Sequence, residues 1–269
     1  MKKRQTKSLL TWLGIFAIVL AIALSIKIVG QSPTSGIKIH GGAEGKDWEF
    51  SNPRRLLLKS NYLTISGTAD ADLKIECEGT SQLTINNLKQ GDHKLYIFSV
   101  EDKEVHVSGK NELTWISGWK AVKIQGESLG AELLLSDKIS AEDIYIDSIK
   151  VRAELLKAER DITITGKSHV TIKKGSDKED AAADVRVKAG RMINIDLDPG
   201  GSIAVDVDEG RLPFLAEKKL TLGKENTIVV PENGVARGED TPYGPNCYFI
   251  FDENDDWDSN IVIENMDKE

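Results

Sequence analysis

Residues 141–164 read AEDIYIDSIKVRAELLKAERDITI, and this stretch sets the architecture of the chain. Its first six residues, which end in Ile144-Tyr145-Ile146, return in modified form before Ile162-Thr163-Ile164. Two isoleucines separated by one residue follow the period of a β-strand, in which alternate side chains enter one face and the others meet water. The echo predicts successive coils of a repeat.

Aliphatic pairs with the same spacing recur about every ten residues from Tyr62 to Gly210. Every second pair starts a coil of about twenty residues, which is the spacing expected of a solenoid. The predicted coils start at Leu63, Leu83, Val105, Val122, Ile144, Ile162, Val185 and Ile203. The sequence therefore predicts an all-β fold, a single-stranded parallel β-helix with stacked rows of Ile, Val and Leu.

An antiparallel β-sandwich is the alternative fold, because it also has short strands separated by frequent turns. The aromatic content of 6% favours the β-helix, whose coils bury aliphatic rows against their neighbours. A helical stripe competes over residues 140–159, where we predict strand up to Val151 and a short helix after it.

The composition divides the chain into four regions. Residues 248–251 and 261–263 predict a hairpin that caps the open end of the stack, because an exposed last coil would recruit other strands. Glycine and serine before the first coil predict a flexible stalk. The predicted boundaries are 1–30 for a basic tail and transmembrane helix, 31–55 for the stalk, 56–210 for the β-solenoid and 211–269 for looser rungs and the cap.

An apolar run from Leu9 to Ile26 follows four basic residues at the start of the chain. Such a run predicts a single membrane-spanning helix through residues 9–29, with the N-terminus inside the cell and the C-terminal domain outside. The small residues Ala23 and Ser25 form a small-x-small cleavage pattern, which leaves the alternative of a cleaved signal peptide and a secreted domain. In both cases the folded part is exported.

Acidic residues dominate the exported part. Residues 1–27 hold 5 of the 35 basic residues and no acidic residue, so 30 basic side chains remain against 43 acidic ones. Nucleic acid is not an expected partner, because affinity for its phosphates comes from clustered Lys and Arg.

Few residues are candidates for covalent chemistry. Cys77 and Cys247 are the two cysteines, and they form either one disulfide or free thiols. Residues 126–130 match the G-x-S-x-G nucleophile motif, with Ser128 as nucleophile and His169 as its downstream histidine. The motif needs alternating strands and helices, which this sequence lacks, so we interpret it as a solenoid corner and predict no enzyme activity.

Two sets of alternating residues with carboxylate or amide oxygens are candidate calcium ligands. The first set flanks the corner at residues 199–201 and would share one outward face if its two strands were adjacent; it consists of Asp196, Asp198, Asp206 and Asp208. The second set lies in the loop of the terminal hairpin and consists of Asp252, Asn254, Asp256 and Asp258. The alternative for both sets is solvated charge that keeps strand edges apart.

Four aromatic residues, two of them close in sequence and two in outward phase within predicted strands, are candidates for binding sugar rings, whose C–H faces stack on flat aromatic faces. They are Trp115, Trp119, Tyr96 and Tyr145. The alternative is that they cover the edge of the core.

The rungs at residues 63–68, 83–87 and 162–166 resemble those of exported Gram-positive β-helix proteins of the carbohydrate-binding-domain type. The terminal segments at 248–254 and 261–263 add to the resemblance, which covers about residues 56–264. It implies binding of acidic polysaccharide, sometimes with calcium, or adhesion. The motifs are repeat patterns and carry no catalytic signature.

The leading hypothesis is a membrane-anchored, extracellular module that binds a polysaccharide or another cell-envelope component. A polysaccharide lyase or hydrolase on a β-helix is the second hypothesis, and it needs paired carboxylates in one groove. The third is a structural envelope protein that binds no small ligand.

Overall fold

A computed structural model describes residues 29–31, 36–79, 81–128, 130–173, 185–206, 212–230, 235–238, 248–251 and 261–265. All regular secondary structure in these ranges is β-strand, so the all-β prediction is confirmed. The short helix predicted after Val151 is wrong, because that segment forms two further strands whose alternate side chains are buried.

The described residues form 28 strands. They are β1 (Val29–Gln31), β2 (Ile37–His40), β3 (Trp48–Asn52), β4 (Arg55–Leu58), β5 (Leu63–Thr68), β6 (Leu73–Cys77), β7 (Gln82–Lys89), β8 (Leu95–Ser99), β9 (Lys103–Ser108), β10 (Lys110–Leu113), β11 (Trp115–Gly118), β12 (Ala121–Gly126), β13 (Glu132–Leu135), β14 (Lys138–Ala141), β15 (Asp143–Asp147), β16 (Lys150–Ala153), β17 (Leu155–Ala158), β18 (Asp161–Gly166), β19 (His169–Ile172), β20 (Val185–Ala189), β21 (Met192–Leu197), β22 (Ser202–Val205), β23 (Leu212–Ala216), β24 (Lys219–Leu222), β25 (Thr227–Val230), β26 (Val235–Gly238), β27 (Tyr248–Phe251) and β28 (Ile261–Glu264).

Most strands belong to three parallel ladders, and the chain visits the ladders in turn. The first ladder consists of β5, β7, β9, β12, β15, β18, β21 and β24. The second ladder consists of β10, β13, β16, β19 and β22. The third ladder consists of β4, β6, β8, β11, β14, β17, β20 and β23. This solenoid-like arrangement differs from a sandwich, in which neighbouring strands run antiparallel.

The register supports a coil of about twenty residues through the middle of the chain. Leu63 pairs with Leu83 and Leu83 with Val105, and each is buried. The prediction that Val185 and Ile203 continue this row is wrong. They lie in the third and second ladders, because the coil after Ile162 is longer and returns to the first ladder only at Ile193.

The core consists of aliphatic side chains stacked in columns between the ladders. In one column Ile124, Ile146 and Ile164 occupy successive strands of the first ladder, and all three are fully buried. Each coil therefore buries its apolar rows against the coils on either side, as a stacked repeat requires.

The region predicted as a stalk is part of the fold from residue 36 onwards, which corrects that prediction. Ile37 and Ile39 on β2 are fully buried, and β2 pairs antiparallel with β5. Trp48 on β3 is also buried. These strands cover the open edge of the first coil, which would otherwise expose unpaired backbone groups.

The terminal strands β27 and β28 close the other end, but they do not pair with each other as the hairpin prediction required. Instead β27 pairs antiparallel with β23 and β26, and β28 pairs antiparallel with β22 and β25. The two segments therefore extend different ladders, β27 the third and β28 the second.

Within the ranges that the structure describes, no helix is long and apolar enough to cross a membrane. The predicted membrane segment covers residues 9–29, and of these the structure describes only Val29, the first residue of β1. Cys247 also lies outside them, whereas Cys77 is buried in the core.

Candidate functional site: an aromatic patch on the third ladder

The outward side of the third ladder carries an aromatic patch, which consists of Tyr96, Phe98, Trp115 and Trp119. Tyr96 on β8 stands opposite Trp115 on β11 in the parallel register, and their ring centroids are 4.9 Å apart at an interplanar angle of 57°. Trp119 follows β11 and meets the Phe98 ring edge-on at 5.9 Å. Strand alternation creates the patch, because the residues between these aromatics point into the core.

Trp119 is 70% exposed, so most of its ring meets solvent. A large aromatic side chain gains little folding stability when it remains exposed. An exposed apolar surface beside polar groups is typical of a binding site.

A groove of about 630 Å³ lies on the opposite side of the patch from Trp119, and Tyr96 and Trp115 line it. Its other walls supply charged groups, which include Arg54, Asp72, Lys94 and Asp137. The groove thus combines two rings with donors and acceptors for hydroxyl groups, as small-molecule and sugar sites do.

Two lysines extend across the rings of the patch. The Lys74 Nζ lies 4.7 Å from the centroid of the Phe98 ring, and the Lys138 Nζ lies 5.5 Å from that of Trp115. Such cation–π contacts hold an ammonium group beside the apolar surface. The patch therefore offers stacking surface and positive charge together.

The structure brings together three of the four aromatic residues predicted to bind sugars. Tyr145 lies on β15 of the first ladder, away from the patch, and is 37% exposed. Burial raises the pKa of its hydroxyl, and the carboxylates of Asp143 and Asp161 add to that effect. Phe98 was not among the sugar-binding candidates predicted from the sequence, although its spacing of two residues from Tyr96 places both on one face of a strand.

The three described members of the first set of candidate calcium ligands are not brought together. Asp196 and Asp198 lie in β21 and the turn after it, and β21 pairs with β18 and β24. Asp206 follows β22, which pairs with β19 and β28. Successive strands of one coil enter different ladders, so the adjacency that this site required does not occur.

Among the residues that the structure describes, no group of three or more His, Cys, Asp or Glu side chains could hold a metal ion. Asp208 and the second candidate set, at Asp252, Asn254, Asp256 and Asp258, lie outside those residues. Calcium binding by that second set stays a prediction.

The G-x-S-x-G motif begins at the last residue of β12 and ends before β13, so two strands flank it and not the strand and helix of a hydrolase elbow. Ser128 is exposed, and the hydroxyl that contacts His169 Nδ1 is that of Ser202, at 3.0 Å. A Cβ atom at Gly126 would lie 2.3 Å from the backbone oxygen of Ser148. Close packing between coils therefore accounts for the first glycine of the motif.

Ion pairs join the coils at the corner between the third and first ladders. Arg160 contacts Asp143 through two nitrogens, and Arg191 contacts Asp161 in the same way, with its Nε donating to Oδ1 at 2.8 Å. The hydrogen bonds from Arg191 hold the pKa of Asp161 below its usual value, although partial burial acts in the opposite direction. Each pair ties one coil to the next.

The variant Asp161→Asn should lower the melting temperature at pH 7 by a few degrees, because it removes the charge that Arg191 binds. The folded-state pKa of Asp161 lies below that of an unfolded aspartate, about 3.9. Its stabilisation is therefore complete above that pH and is lost as pH falls through the folded-state pKa. Thermal melts between pH 7 and pH 2 should show the difference between wild type and variant shrinking on acidification.

The matched control is Asp70→Asn, which changes an exposed carboxylate that has no ion pair within the described part of the chain. This variant should melt at the wild-type temperature at every pH. A constant difference between wild type and Asp161→Asn down to pH 2 would show that the ion pair is not its source.

The described residues define an all-β, solenoid-like protein with parallel ladders and a stacked aliphatic core. No protein-family model, no curated protein and no solved structure matches the chain. The function of the aromatic patch therefore has to follow from its own geometry.

Proposed function

We propose that this protein is a membrane-anchored, extracellular binding module that recognises a polysaccharide of the cell envelope. In this proposal the chain forms a single-stranded parallel β-helix, and the aromatic patch on its third ladder is the binding surface. The observation that carries the proposal is Trp119, whose 70% exposure next to Phe98 leaves an aromatic surface open to a ligand.

The chemistry of the groove supports a sugar ligand. Pyranose rings present C–H faces that stack on aromatic rings, and their hydroxyl groups need both donors and acceptors. Asp72 and Asp137 supply acceptors at the groove, while Arg54 and Lys94 supply donors. A face built from successive parallel strands runs along the stack of coils, so it suits an extended chain more than a compact ligand.

The proposed location follows from the basic residues that precede the apolar run at Leu9 to Ile26. Strand β1 begins at Val29, so the fold starts within a few residues of the end of that run. The exported domain would then lie close to the membrane surface. N-terminal sequencing of the exported protein tests the anchor, because a chain that starts near residue 26 would instead be a secreted domain.

Retention of the full chain on a glycan array tests the proposed function. We expect the variant Trp119→Ala to weaken binding at least tenfold, which corresponds to about 1.4 kcal/mol of lost stacking. Trp115→Ala should have a similar effect, because this ring lines the groove.

Tyr145→Ala is the matched control, since it also removes a partly exposed aromatic ring but from the first ladder. It should bind glycans as the wild type does. Equal losses in all three variants, or no glycan retained by the wild type, would contradict the proposal. Capture of an envelope protein without glycan would instead indicate a structural role.

A further inference from the structure

The outward side of the third ladder is cationic, although the exported chain as a whole is acidic. Within its strands, the parallel register places six basic residues and one carboxylate at outward positions, while Asp72 and Asp137 lie at the edge of the ladder. The six basic residues are Arg55, Lys74, Lys138, Lys157, Arg186 and Lys188, with Glu76 as the carboxylate. Arg55 and Lys74 both contact Glu76. The outward strand positions of β14, β17 and β20 carry no carboxylate, and a surface of this kind attracts negatively charged ligands.

Three outward residues of the third ladder, Ser140, Lys157 and Lys188, form a row along the stack of coils. We call this row the lysine row. They occupy the same register position on three successive strands, β14, β17 and β20. Neighbouring strands lie about 4.8 Å apart, so each side chain stands directly beside the next.

The lysine row places two like charges side by side. Within the described part of the chain neither Lys157 nor Lys188 forms an ion pair. Charges of one sign on directly opposed positions of a sheet destabilise it. By contrast, Glu132 lies between Lys110 and Lys150 on the second ladder, with its carboxylate 4.0 Å and 3.1 Å from the two ammonium groups.

We propose that the lysine row binds phosphate groups of a phosphate-bearing polysaccharide that lies along the third ladder. This inference rests on the proposed function and names the chemistry of its ligand. Lys157 and Lys188 start from strands about 4.8 Å apart, so their ammonium groups can reach different oxygens of one tetrahedral phosphate. The hydroxyl of Ser140 supplies a further donor. Lysine acts as a point charge towards phosphate, whereas planar carboxylates are better matched by the fork of arginine.

The lysine row and the aromatic patch are continuous. Lys138 lies on the same strand as Ser140, and its ammonium group rests over the ring of Trp115. From β11 to β20 there are three strand steps, or about 14 Å along the ladder. A chain of alternating sugars and phosphates would therefore place rings on the patch and phosphates on the row.

Binding of inorganic polyphosphate tests the lysine row without involving sugars. The full chain is reconstituted in nanodiscs of phosphatidylcholine and titrated with polyphosphate at several salt concentrations. The double variant Lys157→Gln/Lys188→Gln should bind at least tenfold more weakly, and its logarithmic salt dependence should fall by about two ions. It should keep wild-type retention on neutral glycans, which separates this test from the test of the aromatic patch.

The double variant Lys110→Gln/Lys150→Gln is the matched control, because it removes two charges that lie on either side of the Glu132 carboxylate and share it as ion-pair partner. It should bind polyphosphate as the wild type does. Equal weakening in the two double variants would overturn the inference, and so would tighter binding of polygalacturonate, which carries carboxylates only. Tighter binding of phosphatidylglycerol vesicles through Lys157 and Lys188 would also overturn it, since the phosphate would then belong to a lipid.

Discussion

Replacing Ile146 by alanine should lower the free energy of unfolding by about 3 kcal/mol, within the range for large-to-small changes in a close-packed core. Ile146 is fully buried between Ile124 and Ile164 of the neighbouring coils. Removal of three carbon atoms at this position leaves a cavity that the flanking strands cannot close, because their hydrogen bonds fix the spacing of the coils. Urea unfolding, followed by circular dichroism, measures the loss.

Thr163→Ala is the control for this prediction. Thr163 lies on β18 beside Ile162 and Ile164, but its side chain points outward and is only half-buried. Its replacement should change stability by less than about 0.5 kcal/mol. Similar losses in both variants would mean that the stacked inward rows are not the main source of stability.

The variant Gly126→Ala should destabilise the protein by about 2–3 kcal/mol, the cost typical of overpacking. The added Cβ would lie 2.3 Å from the Ser148 oxygen and 3.3 Å from Cβ atoms of Ala131 and Ile149. The 2.3 Å contact is with backbone of the next coil, so the two coils would have to move apart. Urea midpoints at constant m-value give the change in stability.

Gly130→Ala tests the same sequence motif at a site with open space. A Cβ atom at Gly130 would meet no atom within 4 Å. The substitution should therefore be neutral, or stabilise by about 0.5 kcal/mol through the lower entropy of the unfolded chain. If Gly130→Ala cost as much as Gly126→Ala, the close contact between coils would not explain the glycine at position 126.

Aliphatic pairs such as Ile144/Ile146 and Ile162/Ile164 were sufficient to predict strands and a coil of about twenty residues. Their period of two is a local property that follows from backbone geometry, so no knowledge of partners is needed. Tyr96 could be predicted to face outward for the same reason, whereas the outward position of Trp115 follows from the change of strand after Leu113. Whether their rings would meet depended on the register between β8 and β11, which local spacing leaves open.

Two kinds of prediction failed: one missed a short strand, and the other took residues that are close in sequence to be close in space. Residues 37–40 were assigned to a stalk, because a four-residue strand with only two buried isoleucines carries a weak periodic signal. Asp198 and Asp206 are close in sequence, but they lie at opposite ends of β22. The terminal segments were paired with each other for the same reason, whereas the ladders they extend were already separate.

The amino-acid pattern determined the all-β character, the inward rows and the excess of acidic side chains, since each depends only on which residues occur and how they alternate. The tertiary structure decided which rows became neighbours, and thereby gathered the aromatic patch and the lysine row on one ladder of an otherwise acidic chain. The physical reason is that lateral contacts in a stacked repeat join residues about twenty or more positions apart. Small differences in coil length then decide which side chains stand side by side.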